Sequence, residues 1–336
     1  MKVSRPIVAI TMGDAAGIGP EICLKALNCP RVRRWCLPVI LGDGSILKKV
    51  ASRCRLPLPP VVLSPENFLK GKIASPAIVD FQLLKAREIK PGLPQAVCGE
   101  ASFRYLETAV SLARKGKVAA LVTAPICKES LHLAGRNYPG HTEMLREFTG
   151  AQKICMMLTS KSITCSLVTT HTSLASVPGL LSAGRILEVM ELTASALARL
   201  KGRKPRLSVC ALNPHAGEQG LFGTEEKVFI LPAIRAARKK GMLVNGPWPA
   251  DTAFLPERRR QTDGYICLYH DQGLIPFKML SFETGVNVTL GLPIVRTSVD
   301  HGTAFDLAWK GLASERSLVE AIRYAVLLAR NRTNPD

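Results

Sequence analysis

Aromatic side chains are scarce in this chain of 336 residues: phenylalanine, tyrosine and tryptophan make up 5% of it. Proteins that stack on bases interleave aromatics with basic residues, so a nucleic-acid partner is not expected despite a formal net charge of +19. The positive charge is dispersed. Its only tight clusters are Arg31, Arg33 and Arg34, then Arg238, Lys239 and Lys240, then Arg258, Arg259 and Arg260, and it reads as a solvated surface. Long apolar runs are also absent. Nowhere do 18 apolar residues follow one another, and MKVSRPIVAITMGD is too brief for a signal peptide, so no membrane partner and a cytoplasmic location are expected. No CxxC pair occurs among the ten cysteines, and Cys23, Cys155, Cys165, Cys210 and Cys267 sit in apolar segments, which points to buried reduced thiols. Two familiar signatures are missing as well. The first glycines fall at Gly13, Gly17 and Gly19 and not as GxGxxG, and there is no HExxH.

What is present is a βα rhythm. With 47% hydrophobic and 21% charged residues, the length suits two domains. Pro6 to Met12 reads as a strand, Gly13 to Gly19 as a glycine-rich turn, and Glu21 to Leu27 as the start of a helix with Pro20 in its first turn. That turn, with Asp14 inside it, is either an anion or cofactor contact at a helix N-terminus or a tight turn without a ligand. A helix is expected over 102–115 and strands over 37–41 and 118–122. The 118–122 strand leads into Thr123 and Lys128, where open α/β sheets place ligands. Helices over 183–200, 224–240 and 314–330 complete an α/β protein whose sheets are covered by helices. The segment 246–254, which carries Asp251, reads as a loop.

The six histidines are unevenly placed. His171, His215 and His270 each follow an apolar strand and precede a polar turn. Any one of them alone is better read as a structural histidine. Three in equivalent places suit a divalent ion with three protein ligands and an open position. The stretch from Tyr269 to Asp306 gathers His270, Asp271, Lys278, Asn287, Arg296, Asp300, His301 and Asp306, and its glycines and prolines predict a break before any long helix. Imidazole binds metals, and Arg and Lys grip carboxylate and phosphate, so this stretch reads as a site for a metal and an anion.

The strings ITMGDAAGIGPE, TAPICKE, YPGHTEML, NPHAGEQGLFG, ADTAF, YHDQGLIPFK and GVNVTLGLPIVRTSVDHGTAFD, in this order over nearly the whole chain, resemble those of the 4-hydroxythreonine-4-phosphate dehydrogenase family. The resemblance implies a two-domain isocitrate/isopropylmalate dehydrogenase-like α/β fold with the active site in the interdomain cleft. One domain would span 1–130 plus about 303–336; the other, 131–302, would carry the metal and substrate residues. It further implies oxidation and decarboxylation of 4-phosphohydroxy-L-threonine to 3-amino-2-oxopropyl phosphate in pyridoxal 5'-phosphate biosynthesis, with NAD or NADP and one divalent ion (zinc, magnesium or cobalt). A close alternative is D-threonate or D-erythronate 4-phosphate, or another hydroxy acid.

By the same resemblance His171, His215 and His270 are metal ligands, and His141, Thr142, Lys278, Asn287 and Arg296 contact substrate. Gly13, Asp14, Gly17 and Gly19 are the cofactor candidates. The family works as a homodimer with its active site at the subunit interface. Lys278 would act in catalysis. Asp251 and Asp271 either orient the histidines or relay a proton, or are loop and capping residues. Ala15, where many members have proline, and the Thr172-Ser173 pair are departures that remove no ligand.

Overall fold

Ile7–Thr11 (β1) is the short apolar strand expected, and from Val8 onward it is buried, as a strand covered on both faces must be. The computed structural model describes residues 5–59 and 61–330, so the predicted helix 314–330 lies within it and the rest of the C-terminal domain segment, 331–336, outside it. The other strands are Leu37–Gly42 (β2), Val61–Leu63 (β3), Ala77–Asp80 (β4), Ala120–Thr123 (β5), Cys155–Thr159 (β6), Thr164–Leu167 (β7), Arg206–Cys210 (β8), Leu243–Trp248 (β9), Gly264–Cys267 (β10), Val286–Leu290 (β11) and Arg296–Val299 (β12). Residues 5–152 with 292–330 form one compact unit and 153–291 another.

In the first unit six parallel strands lie in the order β3-β4-β2-β1-β5-β12. The helix Ala96–Arg114 begins six residues before the apolar periodicity does. Gly99 hides its start: a Cβ there would stand 1.9 Å from the Ser130 carbonyl oxygen, so close packing demands glycine where a helix former would announce the helix. The boundaries differ from those read in the sequence, because residues 131–152 and 292–302 belong to this unit. Leu131, Met144, Leu145 and Ile294 share one core cluster with Phe103, Leu106 and Leu121. His141, Thr142 and Arg296 are therefore carried by the first unit, not the second. The returning segment is fastened to the glycine turn and the helix after it. Trp309 Nε1 donates to the Ala15 carbonyl (2.9 Å), and the buried Glu21 carboxylate accepts from the backbone N–H groups of Gly311 (3.0 Å) and Ala313 (2.8 Å) while pairing with Lys25 (2.7 Å).

In the second unit the order is β11-β6-β7-β10-β8-β9. The pairs β11/β6 and β6/β7 are antiparallel; β7, β10, β8 and β9 run parallel. The helix Ala183–Lys201 is capped by Ser182, whose Oγ accepts from the Arg185 N–H (3.1 Å), and stops at Gly202 in the left-handed region (φ 65°). Two local expectations are corrected. The first part of the predicted loop 246–254 is the end of β9, paired with β8. The stretch after Tyr269 does form a helix, His270–Ser281, with Pro276 inside it. Tertiary packing overrides the proline: Leu274 and Phe277 are in the core of the unit, and Gly273 lets the helix sit where a Cβ would meet Leu167 Cδ2 at 3.0 Å and Cys267 Sγ at 3.1 Å.

All ten cysteines are free, and only Cys29 and Cys54 are more than marginally accessible. Burial pushes the Cys155 thiol up to about 12, so it stays an inert thiol. Among the described residues no helix is long and apolar enough to cross a membrane.

Asp263 gathers much of the charge near the foot of β8. Its nearly buried carboxylate (5% exposed) takes two hydrogen bonds from Arg203 (2.8 and 2.7 Å), one from the Arg206 N–H (2.8 Å) and an ion pair with Lys201 (3.1 Å). Burial alone would raise its pKa; the guanidinium, the backbone N–H and the ammonium outweigh it and hold the carboxyl at about 2. A folded-state pKa below the unfolded one stabilises above the unfolded value and loses that contribution as pH falls through the folded one. Asp263→Asn is therefore expected to cost about 1–2 kcal/mol at pH 7, allowing for the solvent exposure of its partners. The gap to wild type in urea midpoints should close between about pH 4 and pH 2. A gap that does not change with pH would refute the assignment.

Candidate active site

The strands β7, β10 and β8 are parallel neighbours, and their C-terminal ends lead to His171, His270 and His215 respectively. The first two come together. The rings of His171 and His270 are 5.6 Å apart between centroids, on the wall of an open cavity of about 560 Å³ that Ser173, Tyr269 and Asp271 also line. Asp271 Oδ1 lies 2.6 Å from His270 Nδ1. With Nδ1 protonated the carboxylate accepts that hydrogen and Nε2 is left as a lone-pair donor, the arrangement that metal-binding histidines use. Beneath them the buried Gln272 ties two strand ends together: its Nε2 donates to the Ala211 carbonyl after β8 and its Oε1 accepts from the Leu268 N–H after β10, both at 2.7 Å. Sequence reasoning passed over Gln272, though its place in YHDQG beside two marked residues was a signal.

His215 stands apart from that pair. It opens a turn in which His215 (φ 51°), Ala216 (55°), Gly217 (81°), Glu218 (42°) and Gln219 (57°) are all left-handed. Four of these are not glycine, and each costs about 1–2 kcal/mol relative to the right-handed form. The imidazole is largely exposed, with Nδ1 3.4 Å from Glu218 Oε2 and the ring edge-on to Phe222. Among the described residues, no three His, Cys, Asp or Glu side chains converge to hold a metal. The exposed Asp251 lies in the short helix Ala250–Ala253, which packs near β8 and this turn. Lys278 is two turns along the helix from His270, its ammonium 5.4 Å from the centre of the Phe282 ring. Asn287 is on β11 with its Oδ1 buried and without a hydrogen-bond partner.

The first unit holds the remaining residues. Arg296, at the start of β12, is 2% exposed and donates from Nη2 to Thr123 Oγ1 (2.6 Å), itself buried at the end of β5. Burial pushes the guanidinium down to about 9, so it remains charged at neutral pH and an arriving anion would be strongly favoured beside it. His141 begins the helix His141–Thr149, with the half-buried Thr142 next to it. Burial, and then the charge of Arg296, hold its imidazole well below the usual histidine range, so it is neutral at pH 7; its Nε2 is buried and unpartnered. A neutral ring with an unused nitrogen thus lies next to a buried cation.

The glycine turn is different. Gly13, Asp14, Gly17 and Gly19 are all buried, and Cβ atoms at Gly13 and Gly19 would stand 2.1 Å from the carbonyl oxygens of Pro125 and Met12. Packing of backbone on backbone demands glycine at Gly13 and Gly19. Asp14 Oδ1 accepts from the Ala16 N–H (2.9 Å), and burial raises its pKa.

Comparison with known proteins gives the family. Residues 34–325 match the family described as pyridoxal phosphate biosynthetic protein PdxA. The 4-hydroxythreonine-4-phosphate dehydrogenase of Trichlorobacter lovleyi is 44% identical over 336 residues, covering 99% of this chain and 100% of that protein. The D-threonate 4-phosphate dehydrogenase of Cupriavidus necator is 45% identical over 335 residues, covering 97% and 98%. The crystal structure of a 4-hydroxythreonine-4-phosphate dehydrogenase from Klebsiella pneumoniae superposes with a TM-score of 0.84 at 39% identity, covering 96% of this chain and 99% of that one. With a mixed α/β fold shared over nearly its full length, this chain belongs to the PdxA family.

Proposed function

We propose that the chain oxidises and decarboxylates 4-phosphohydroxy-L-threonine to 3-amino-2-oxopropyl phosphate, serving pyridoxal 5'-phosphate synthesis. The observation that carries this reading is the buried guanidinium of Arg296 beside the neutral, unpartnered imidazole of His141. Arg296 grips the carboxylate or phosphate of the substrate, His141 and Thr142 hydrogen-bond it, and the buried Asn287 Oδ1 accepts from a substrate N–H or O–H. Lys278 adds a second fixed cation that opposes the charge left on the substrate when carbon dioxide departs. Bound NAD or NADP would take the hydride from the hydroxyl-bearing carbon.

His171 and His270, with His215 as the third, would hold a divalent ion, and imidazole donors suit zinc or cobalt better than magnesium. When bound, such an ion would supply Lewis acidity. Asp271 would hold the proton on His270 Nδ1, and Asp251, on the short helix near the turn of His215, would relay one. We take the protein to act as a homodimer, with the third histidine brought to the pair at the subunit interface. Ile275 (61% exposed) and Met279 (82%), on the helix that carries His270 and Lys278, and Phe282 (71%), just past its end, form an apolar stripe at i, i+4 and i+7, which supports a second copy covering it. We take the two units to be the two domains of an isocitrate/isopropylmalate dehydrogenase-like fold.

A second reading, oxidation of D-threonate or D-erythronate 4-phosphate, rests on the 45% identity to the Cupriavidus necator enzyme, which is level with the 44% to the Trichlorobacter lovleyi enzyme. The deciding measurement is absorbance of reduced nicotinamide formed by the metal-reconstituted protein with either phosphorylated acid. Turnover of 4-phosphohydroxy-L-threonine alone supports the first reading, and turnover of D-threonate 4-phosphate alone the second. No reduction of NAD or NADP with either one would end both.

A further inference from the structure

Three consecutive residues outside every motif singled out in the sequence hold the turn of His215 from inside. Glu226 is 3% exposed and opens a π-helical segment, Glu226–Ile230, a rare form that is frequent at functional sites. Its Oε1 accepts from the backbone N–H groups of Leu212 (2.9 Å) and Asn213 (2.8 Å), and its Oε2 accepts from Asn213 Nδ2 (2.9 Å). The turn closes over the same carboxylate, since a Cβ at Gly217 would stand 2.7 Å from Glu226 Oε2. Glu225 Oε2 accepts a second hydrogen from Asn213 Nδ2 (2.7 Å), and the Lys227 ammonium donates to the carbonyl of Gln219 at the far end of the turn.

The turn so held adds little to the core. Pro214, His215, Glu218 and Gln219 are exposed, so a relaxed loop would join β8 to the following helix at less cost than five left-handed residues. What the strained form does is fix where the His215 imidazole leaves the end of β8. The geometry points to Glu226 as a positioning residue that holds His215 in the conformation in which it binds metal. This rests on the metal assignment of His215 made above.

Two readouts separate the inference from that assignment, both on the full-length protein. Hydrogen exchange of peptides covering 212–222, taken without metal, reports the clamp alone. Glu226→Gln, whose amide would set donor against donor at Asn213 Nδ2, is expected to speed exchange there at least about tenfold and leave peptides of β7 and β10 unchanged. Titration with Co2+ reports the consequence. His215→Ala and Glu226→Gln should each weaken Co2+ binding by about 10–100-fold, and the double variant should bind no more weakly than His215→Ala alone.

Unchanged exchange over 212–222 overturns the inference, and so do additive losses in the double variant. If His215→Ala binds Co2+ as wild type does, the metal assignment falls and the link from Glu226 to metal falls with it, while the exchange result still shows whether Glu226 holds the turn. Should Glu226→Gln not fold, Asn213→Ala, which removes only the side-chain amide, takes its place with the same expected and overturning results.

Discussion

His270→Ala abolishes turnover and strong binding of Co2+ together: that is the expected result with the largest effect. The side chain stands 5.6 Å, centroid to centroid, from His171, and Asp271 keeps its Nδ1 occupied so that Nε2 is the nitrogen presented. On the proposed metal assignment, removing His270 would forfeit Lewis acidity worth several kcal/mol, about a thousandfold in kcat/KM or more. Asp271→Asn is the control that isolates orientation from ligation. It leaves the imidazole but weakens the hold on its tautomer, and it should cost only about 10–100-fold. Kinetics with added Co2+ and the visible absorption of the Co2+ protein read both effects. His270→Ala retaining wild-type turnover, or Asp271→Asn matching His270→Ala in severity, would contradict this account of the pair.

The second large effect is at Arg296. Arg296→Met deletes a buried cation from the place where the substrate's anion is to bind, and removing one partner of a buried charged pair costs about 2–5 kcal/mol, roughly 30- to 4000-fold in kcat/KM. The loss should fall on the phosphorylated acid, with the KM for the nicotinamide cofactor little changed. Stability should move the other way or not at all. The guanidinium is desolvated enough to drop to about 9, and a well-packed apolar side chain of similar length is often neutral or stabilising at such a site. A thermal melt of Arg296→Met no lower than wild type, with activity lost, fits a residue kept for binding. A melt lowered by many degrees would make Arg296 a structural residue and remove the observation on which the proposed function stands.

How far the sequence foretold these groups depends on what kind of signal each gives. The strands before His171, His215 and His270 were legible because apolar runs ending on a polar turn are a local pattern, and β7, β10 and β8 do lie side by side. That His215 does not converge with the other two was not legible, since residue types do not announce five left-handed dihedrals. The start of the helix Ala96–Arg114 and the whole of His270–Ser281 were hidden by Gly99, Gly273 and Pro276, whose presence is decided by neighbours distant in sequence. The membership of His141 and Arg296 in the first unit was equally hidden. It follows from Met144, Leu145 and Ile294 choosing one core, which no local window contains. Glu226 gave no local signal because the groups it accepts from lie 13 or 14 residues back.

The return of residues 292–330 to the first unit bears on the order in which the chain takes shape as it is made. The second unit, unbroken in sequence, has all its strands once Gly291 has been added. The first has five of its six strands by Thr123, yet one side of β5 waits for β12, and the Glu21 carboxylate waits for the N–H groups of Gly311 and Ala313. Until residues 292–330 emerge, then, the older half of the protein is the unfinished one, with an open strand edge for chaperones to shield.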